Sequence, residues 1–283
     1  VTLSLVGPLA FTILALLAIV GAWLWGPALM TAWRRARIRR QPFPPEWRAV
    51  LRERMPAFRS LPADLQLQLK KHAQVLLAEV PFIGCAGLVV TTEMRVLIAA
   101  QAALLLLNRR AASFRNLRQV LVYPGAFVVE RAVTDGHGIT QDARRVLAGE
   151  SWQQGQVILS WQDVLDGAAT PDDGRNVVIH EFAHQLDQET GPANGAPYLP
   201  GDAARQRWAA TMTAEFAALQ QRVASGATSG ETGLIDAYGA TDPAEFFAVV
   251  SEVFFEQPQA LAAQHPALFE QLVGCYRTNP LSW

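Results

Sequence analysis

Apolar positions are unevenly spread along the chain. Their spacing predicts one long N-terminal helix, a helical region, a small group of strands and a second helical region. From Leu9 to Met30 the sequence reads LAFTILALLAIVGAWLWGPALM, 22 residues without a charge. At 1.5 Å rise per residue such a helix reaches ~33 Å, enough for the ~30 Å hydrocarbon layer of a bilayer. Residues 46–58 and 62–80 then show helical spacing, with Leu65, Leu69, Leu76 and Leu77 on one side of the second helix. The uncharged run VLIAAQAALLLL, Val96 to Leu107, is too short to cross a bilayer and reads as a buried core helix. Strand signals follow. QVLVY (119–123) and AFVV (126–129) flank the turn dipeptide Pro124-Gly125, and QVILSW (156–161) is a third β-rich run. The polar, glycine-containing stretch TDGHGITQDARR (134–145) between them reads as a loop. From Gly174 the pattern is helical again, through 174–189, 202–224, 243–256 and 258–273. Helices, a small mixed sheet and helices again predict an α+β fold, mostly helical, behind one N-terminal transmembrane helix.

Composition sharpens this picture in three ways. Apolar types make up 51 % of the 283 residues, which excludes a disordered chain. The net charge of −1 argues against direct binding of nucleic acid. Two cysteines, Cys85 and Cys275, are too few for a disulfide framework and suit a reducing compartment. Charge then locates the membrane segment. No charged residue precedes Arg34, and five arginines (34, 35, 37, 39 and 40) follow the apolar run directly. A cleaved signal peptide carries its positive charge before a shorter apolar core. The order found here predicts an uncleaved anchor through residues 9–30, with the N-terminus outside and the body in the cytoplasm of a bacterial inner membrane. Trp23, Trp25 and Trp33 stand at the headgroup level of that anchor. The expected organisation is an anchor over 1–33, a basic juxtamembrane segment and proline-containing linker over 34–61, and one catalytic-type domain over 62–283. Residues 41–283 hold 19 Lys and Arg against 25 Asp and Glu, so the body is mildly acidic.

Candidate chemistry is concentrated in VVIHEFAHQLDQE, residues 177–189. His180 and His184 are four apart, so a helix stacks them on one face, where both imidazoles can bind one Zn²⁺. Glu181 is offset from that face. It can accept a proton from a water beside the metal, the general-base role of H-E-x-x-H metallopeptidases. Asp172 or Asp173 is expected to cap this helix. A zinc site of this kind needs a third protein ligand, and the candidates are Asp187 and the acids of IDAYGATDPAEFFAVVSEVFFEQP, residues 235–258. Asp187 lies ~10.5 Å along the helix from His180, so it reads as a residue that orients a histidine. Glu245 and Glu252 share one face of the 243–256 helix. Glu245 also has a competing capping role in Asp242-Pro243-Ala244-Glu245. The run 156–161 is expected to form the sheet edge beside the site, where an extended peptide could add a strand. Trp152 and Trp161, on either side of that strand, are expected in the core.

Four blocks in order, VLVYPGAFVV, ESWQQGQVILSW, VVIHEFAHQLD and IDAYGATDPAEFFAVVSEVFF, resemble the Mlc titration factor A family of bacterial metallopeptidases. These are zincins related in their site to the anthrax lethal factor protease, and the resemblance runs from about residue 62 to 275. It implies a zincin-like domain holding one Zn²⁺ through His180, His184 and Glu245, with Glu181 as general base. Tyr238 is implied as the residue that polarises the substrate carbonyl. The activity implied is hydrolysis of peptide bonds, aminopeptidase-like and linked to regulation of sugar uptake. The alternative implied by the same resemblance is a regulatory protein that sequesters a transcriptional repressor with little turnover. Two departures stand out. The best-known members are soluble, without the anchor. The family can also offer a histidine from the loop before SWQQG as an extra zinc ligand, and Gln141 stands there in this chain, with His137 four residues away.

Overall fold

The computed structural model describes residues 3–109, 114–125, 127–134, 140–147, 149–152, 155–226 and 233–283, and the side chains among these except 3–9 and 127–152. It divides into two units, Val1–Pro42 and Phe43–Trp283. The first unit is a single helix, α1 (Leu3–Arg40). Among the described residues it is the one helix long and apolar enough to cross a membrane. Its large side chains, including Phe11, Leu14, Leu17, Trp23 and Trp25, are exposed, and its last turn carries Arg37, Arg39 and Arg40.

The second unit opens with α2 (Pro45–Arg54), α3 (Pro56–Ser60) and α4 (Ala63–Glu79). One helix over 46–58 is therefore corrected to two. Pro56 lacks an N–H and disfavours helical geometry at Met55, so the chain restarts there. Residues 43–61, assigned to the linker on sequence, contribute Phe43, Leu51, Met55, Phe58 and Leu61 to the core. Strand β1 (Phe82–Gly84) leads to α5 (Thr92–Leu104), capped by Thr91, whose Oγ1 accepts from the Met94 N–H at 3.2 Å. Nearly all of α5 is buried, and it packs on α2, α4 and the metal-site helix described below.

Four strands come next and then one more: β2 (Gln119–Tyr123), β3 (Phe127–Thr134), β4 (Thr140–Leu147), β5 (Gly149–Trp152) and β6 (Gln156–Ser160). The main sheet has the order β1-β2-β6-β5. Its first three strands are parallel, and β5 runs antiparallel to β6 with Trp152 opposite Gln156. Strands β3 and β4 form a separate antiparallel pair, Thr134 opposite Thr140. Two expectations are corrected here. The stretch 134–145 is not all loop, because a two-stranded ribbon pairs through its main chain and tolerates a polar sequence. And β6 is an interior strand, not the edge. Its residues Val157, Ile158 and Leu159 are all buried, the continuous apolar run that marks a strand covered on both faces. The edge on that side is β5. His137 and the side chains of Gln141 and Trp152 lie outside the described residues, whereas Trp161 packs partly buried against the core.

Helix α6 (Trp161–Ala169) begins directly after β6, capped by the Ser160 hydroxyl, which accepts from the Asp163 N–H. The remaining elements are α7 (Val177–Asp187), α8 (Asp202–Ala224), a 3-10 turn at Ala237–Ala240, α9 (Pro243–Glu256), α10 (Pro258–Gln264) and α11 (Pro266–Tyr276). The expected helix 258–273 is broken by Pro266 for the same reason as the first. Helix α7 occupies the centre, touching α5, α6, α9, β5 and β6. Cys85 and Cys275 are free thiols.

Candidate metal centre

Helix α7 buries Val178, Ile179, Phe182, Ala183 and Leu186 around its axis, which fixes the rotation that its polar residues must adopt. Its start is set by Asn176, not by Asp172 or Asp173. The Asn176 side-chain oxygen accepts from the Ile179 N–H at 3.0 Å, satisfying one of the open donors of the first turn. Asp173 instead accepts from the Arg175 N–H. Helix α9 begins at an Asp242 cap that accepts from the N–H groups of Ala244 and Glu245. With that capping role filled by Asp242, the Glu245 side chain turns toward α7.

The two helices bring three ligand-type groups together. His180 Nε2 lies 3.0 Å from Glu245 Oε2 and 3.3 Å from His184 Nε2, and His184 Nε2 lies 3.4 Å from Glu245 Oε2. On its other ring nitrogen, His180 Nδ1 donates to Glu252 Oε1 at 2.8 Å, so the neutral ring turns the Nε2 lone pair inward. Three electron-pair donors thus converge on one point. A tetrahedral ion with ~2.0–2.1 Å bonds separates its ligand atoms by ~3.3–3.4 Å, close to the spacings here. The donor set, its convergence and its spacing fit a bound metal ion, and among the described residues this is the group able to hold one.

Electrostatics follow from the same packing. Burial pulls the His180 imidazolium down, but hydrogen bonds to Glu245 and Glu252 outweigh it and hold its pKa well above the usual value. Burial also raises Glu245, yet the two histidines win and hold its carboxyl far below the ordinary range. Because burial outweighs the opposing charge of His180, the balance goes the other way at Glu181. It is 1 % exposed, its Oε2 meets no hydrogen-bond partner, and burial pushes its carboxyl well up, with Glu245 and Glu252 adding to the effect. Tyr238 sits on the 3-10 turn, 43 % exposed, its ring centre 6.0 Å from that of His180. Asp236 caps this turn by accepting from the Tyr238 N–H at 2.9 Å, and Arg175 holds Asp236 at 2.9 Å.

Asp187 differs from its sequence-based role. Its carboxylate accepts from the N–H groups of Asn194, Gly195 and Ala196 at 2.7–2.8 Å, so it fastens the loop after α7 and does not orient a histidine. That loop is pinned again at Gly195, whose φ of +77° suits only glycine and whose added Cβ would meet the Pro243 carbonyl oxygen at 2.4 Å. The sequence reading passed over Asn176 and Arg175, and held Asp236 only as one of the acids of 235–258. Each carried a local signal as a capping or turn residue, but none as chemistry. Glu252 does double duty, since its Oε2 accepts from the Asn176 N–H at 2.5 Å.

Comparison with known proteins agrees with this geometry. The family described as glucose-regulated metallo-peptidase M90 matches residues 30–277. The protein slr2042 of Synechocystis sp. is 38 % identical over 275 residues, covering 97 % of this chain and 98 % of its own. Mlc titration factor A of Serratia proteamaculans is 35 % identical over 239 residues, covering 84 % of this chain and 88 % of its own. Mlc titration factor A of Salmonella agona is 35 % identical over 228 residues, covering 80 % and 84 %. With a His-His-Glu group able to hold a metal and a family match over most of its length, this chain belongs to the M90 metallopeptidases.

Proposed function

We propose that this chain is a membrane-anchored, zinc-dependent peptidase. The observation that carries the reading is the convergence of His180, His184 and Glu245 beside a buried Glu181 whose Oε2 has no hydrogen-bond partner. Those three residues hold the ion, and nitrogen and carboxylate ligands suit Zn²⁺. When bound, zinc supplies Lewis acidity that makes a nearby water a better nucleophile and polarises a peptide carbonyl. Glu181 accepts the proton of the attacking water and returns it to the leaving amine, a task helped by a raised pKa. Glu252 holds the His180 ring in the tautomer that points Nε2 inward. Tyr238, held at the rim by Asp236 and Arg175, donates its hydroxyl to the oxyanion, a contact of the kind worth ~3–4 kcal/mol. An extended substrate adds to the open edge of β5, which packs against α7. Aminopeptidase-like action on small substrates and a link to sugar uptake belong to this proposal. Residues 9–30 span the inner membrane, and the Arg34–Arg40 cluster keeps the body on the cytoplasmic side.

One observation favours a second reading. Relatives of this chain are named Mlc titration factor A, which points to a repressor partner held by binding with little turnover. Glu181→Gln separates the two. On the peptidase reading it abolishes hydrolysis of a peptide substrate while metal content stays at the wild-type level. Full hydrolysis by the variant contradicts the role of Glu181, and a wild-type protein that binds a repressor but cleaves no peptide favours the second reading.

A further inference from the structure

A cavity of about 310 Å³ is lined by residues of α3, α5, α6, α7, α9, α10 and the C-terminal turn. That is the small end of ligand pockets, which run ~300–1,000 Å³. Its walls are largely apolar, with Met55, Leu104, Ile179, Phe255 and Trp283 among them, and the Phe255 and Trp283 rings stack at 6.1 Å. Ser60, Gln101, Asn176 and Gln259 also line it, and two further polar groups there have an atom without a partner. Glu256 is 9 % exposed and its Oε2 meets no hydrogen-bond partner among the described residues. The indole N–H of Trp283 also lacks an acceptor there.

A carboxyl group so placed is costly to the fold. Asn176 and Asp173 hydrogen-bond to the carboxyl group, but ionised it has given up water without gaining a cation, and Oε2 stays without a partner. Burial pushes it up to about 9; the hydrogen bond from Asn176 opposes this, while Asp173 and the charge of Glu252 add to it. A cationic head next to Oε2 relieves that cost, and the apolar walls offer contact to the body behind the head. We propose that this cavity is a binding site for a small organic ammonium ion, its head on Glu256 and its apolar part against Phe255, Trp283 and Met55. The site is separate from the histidines and does not depend on the peptidase reading. The two approach each other at Asn176, which lines the cavity and whose N–H donates to Glu252, and through the charge of Glu252 on Glu256.

Calorimetric titration of the full chain in detergent, near neutral pH, tests this with benzylammonium as the probe and benzyl alcohol as its uncharged shape match. Benzylammonium is expected to bind saturably and benzyl alcohol about tenfold more weakly, the scale of a lost charge-assisted hydrogen bond. Glu256→Gln, which keeps the shape of the side chain, should weaken benzylammonium by a similar factor. Ala57→Trp, which fills the cavity from α3, should abolish binding and guards against a folding defect in the first variant. Equal affinity for the two probes, no saturable binding at millimolar probe, or unchanged binding in both variants would overturn the proposal.

Discussion

Glu252→Gln is the most informative single substitution, because one carboxylate serves two donors in different elements. Oε1 accepts from His180 Nδ1 at 2.8 Å and Oε2 from the Asn176 N–H at 2.5 Å. A glutamine side chain has one acceptor oxygen, and its amide N–H₂ would face whichever donor the oxygen does not reach. If the oxygen keeps Asn176, the His180 ring loses the partner that fixes its tautomer. If it keeps His180, the first turn of α7 gains a buried, unsatisfied N–H. Either choice forfeits a hydrogen bond to a charged group, worth ~1.5–3 kcal/mol. Outer partners of metal-bound histidines typically carry ~10–100-fold in metal affinity, about 1.4–2.7 kcal/mol, which matches that range. Competition with a chromogenic chelator should therefore show zinc affinity down by about that factor in the variant, with a lowered Tm. Asp187→Asn is the control, since Asp187 fastens the 194–196 loop and should lower Tm while changing zinc affinity much less. Zinc affinity in Glu252→Gln within twofold of wild type would refute the assignment of Glu252 as the group that orients His180.

Gly195→Ala should destabilise the protein by about 1–3 kcal/mol, read as a fall in denaturant midpoint, because the residue is forced into the left-handed region and against Pro243 at the start of α9. Stability should also depend on Glu256. Its folded pKa, about 9, lies above the ordinary carboxylate value, so the folded state holds the proton more tightly than the unfolded state. The contribution is therefore fully present below about pH 4 and is lost as pH rises through the interval up to about 9. Tm measured across that interval should fall less steeply in Glu256→Gln, and parallel curves for the two proteins would count against the argument. For topology, a reporter active only in the cytoplasm should work when fused after Trp283, and activity of a periplasm-dependent reporter there would reverse the orientation.

The metal pair was open to sequence reasoning because four-residue spacing on a helix is a purely local property. The third member of the group, a carboxylate, was not. Glu245 and Glu252 lie on one face of α9, and choosing between them requires knowing how α9 crosses α7, contacts separated by 65 and 72 residues. The crossing delivers Glu245 to the Nε2 atoms and Glu252 to Nδ1, so both residues face the same histidine from opposite ring positions. Asn176 shows a different limit. Asp172, Asp173 and Asn176 are all good caps by residue type, and the start of α7 is decided by which turn can bury Val178 and Ile179 against the rest of the core. The interior position of β6 was readable in its unbroken apolar run, a signal that was outweighed by the strand's closeness to the site. Helix α6 was missed because its nine residues give little periodicity, although Ser160 and Asp163 form a capping signal. Asp187 was misjudged for want of the loop that folds back onto it, since nothing in the spacing from His180 announces three main-chain donors from residues 194–196.

The central claim is that His180, His184 and Glu245 hold one zinc ion. Crystals of the purified full chain, measured on either side of the zinc absorption edge, test it directly. The expected result is a single anomalous peak ~2.0–2.2 Å from His180 Nε2, His184 Nε2 and a Glu245 carboxylate oxygen, with Glu252 remaining on Nδ1. A peak bound by Glu252 in place of Glu245, or a zinc-loaded protein with no peak between the two histidines, would contradict it.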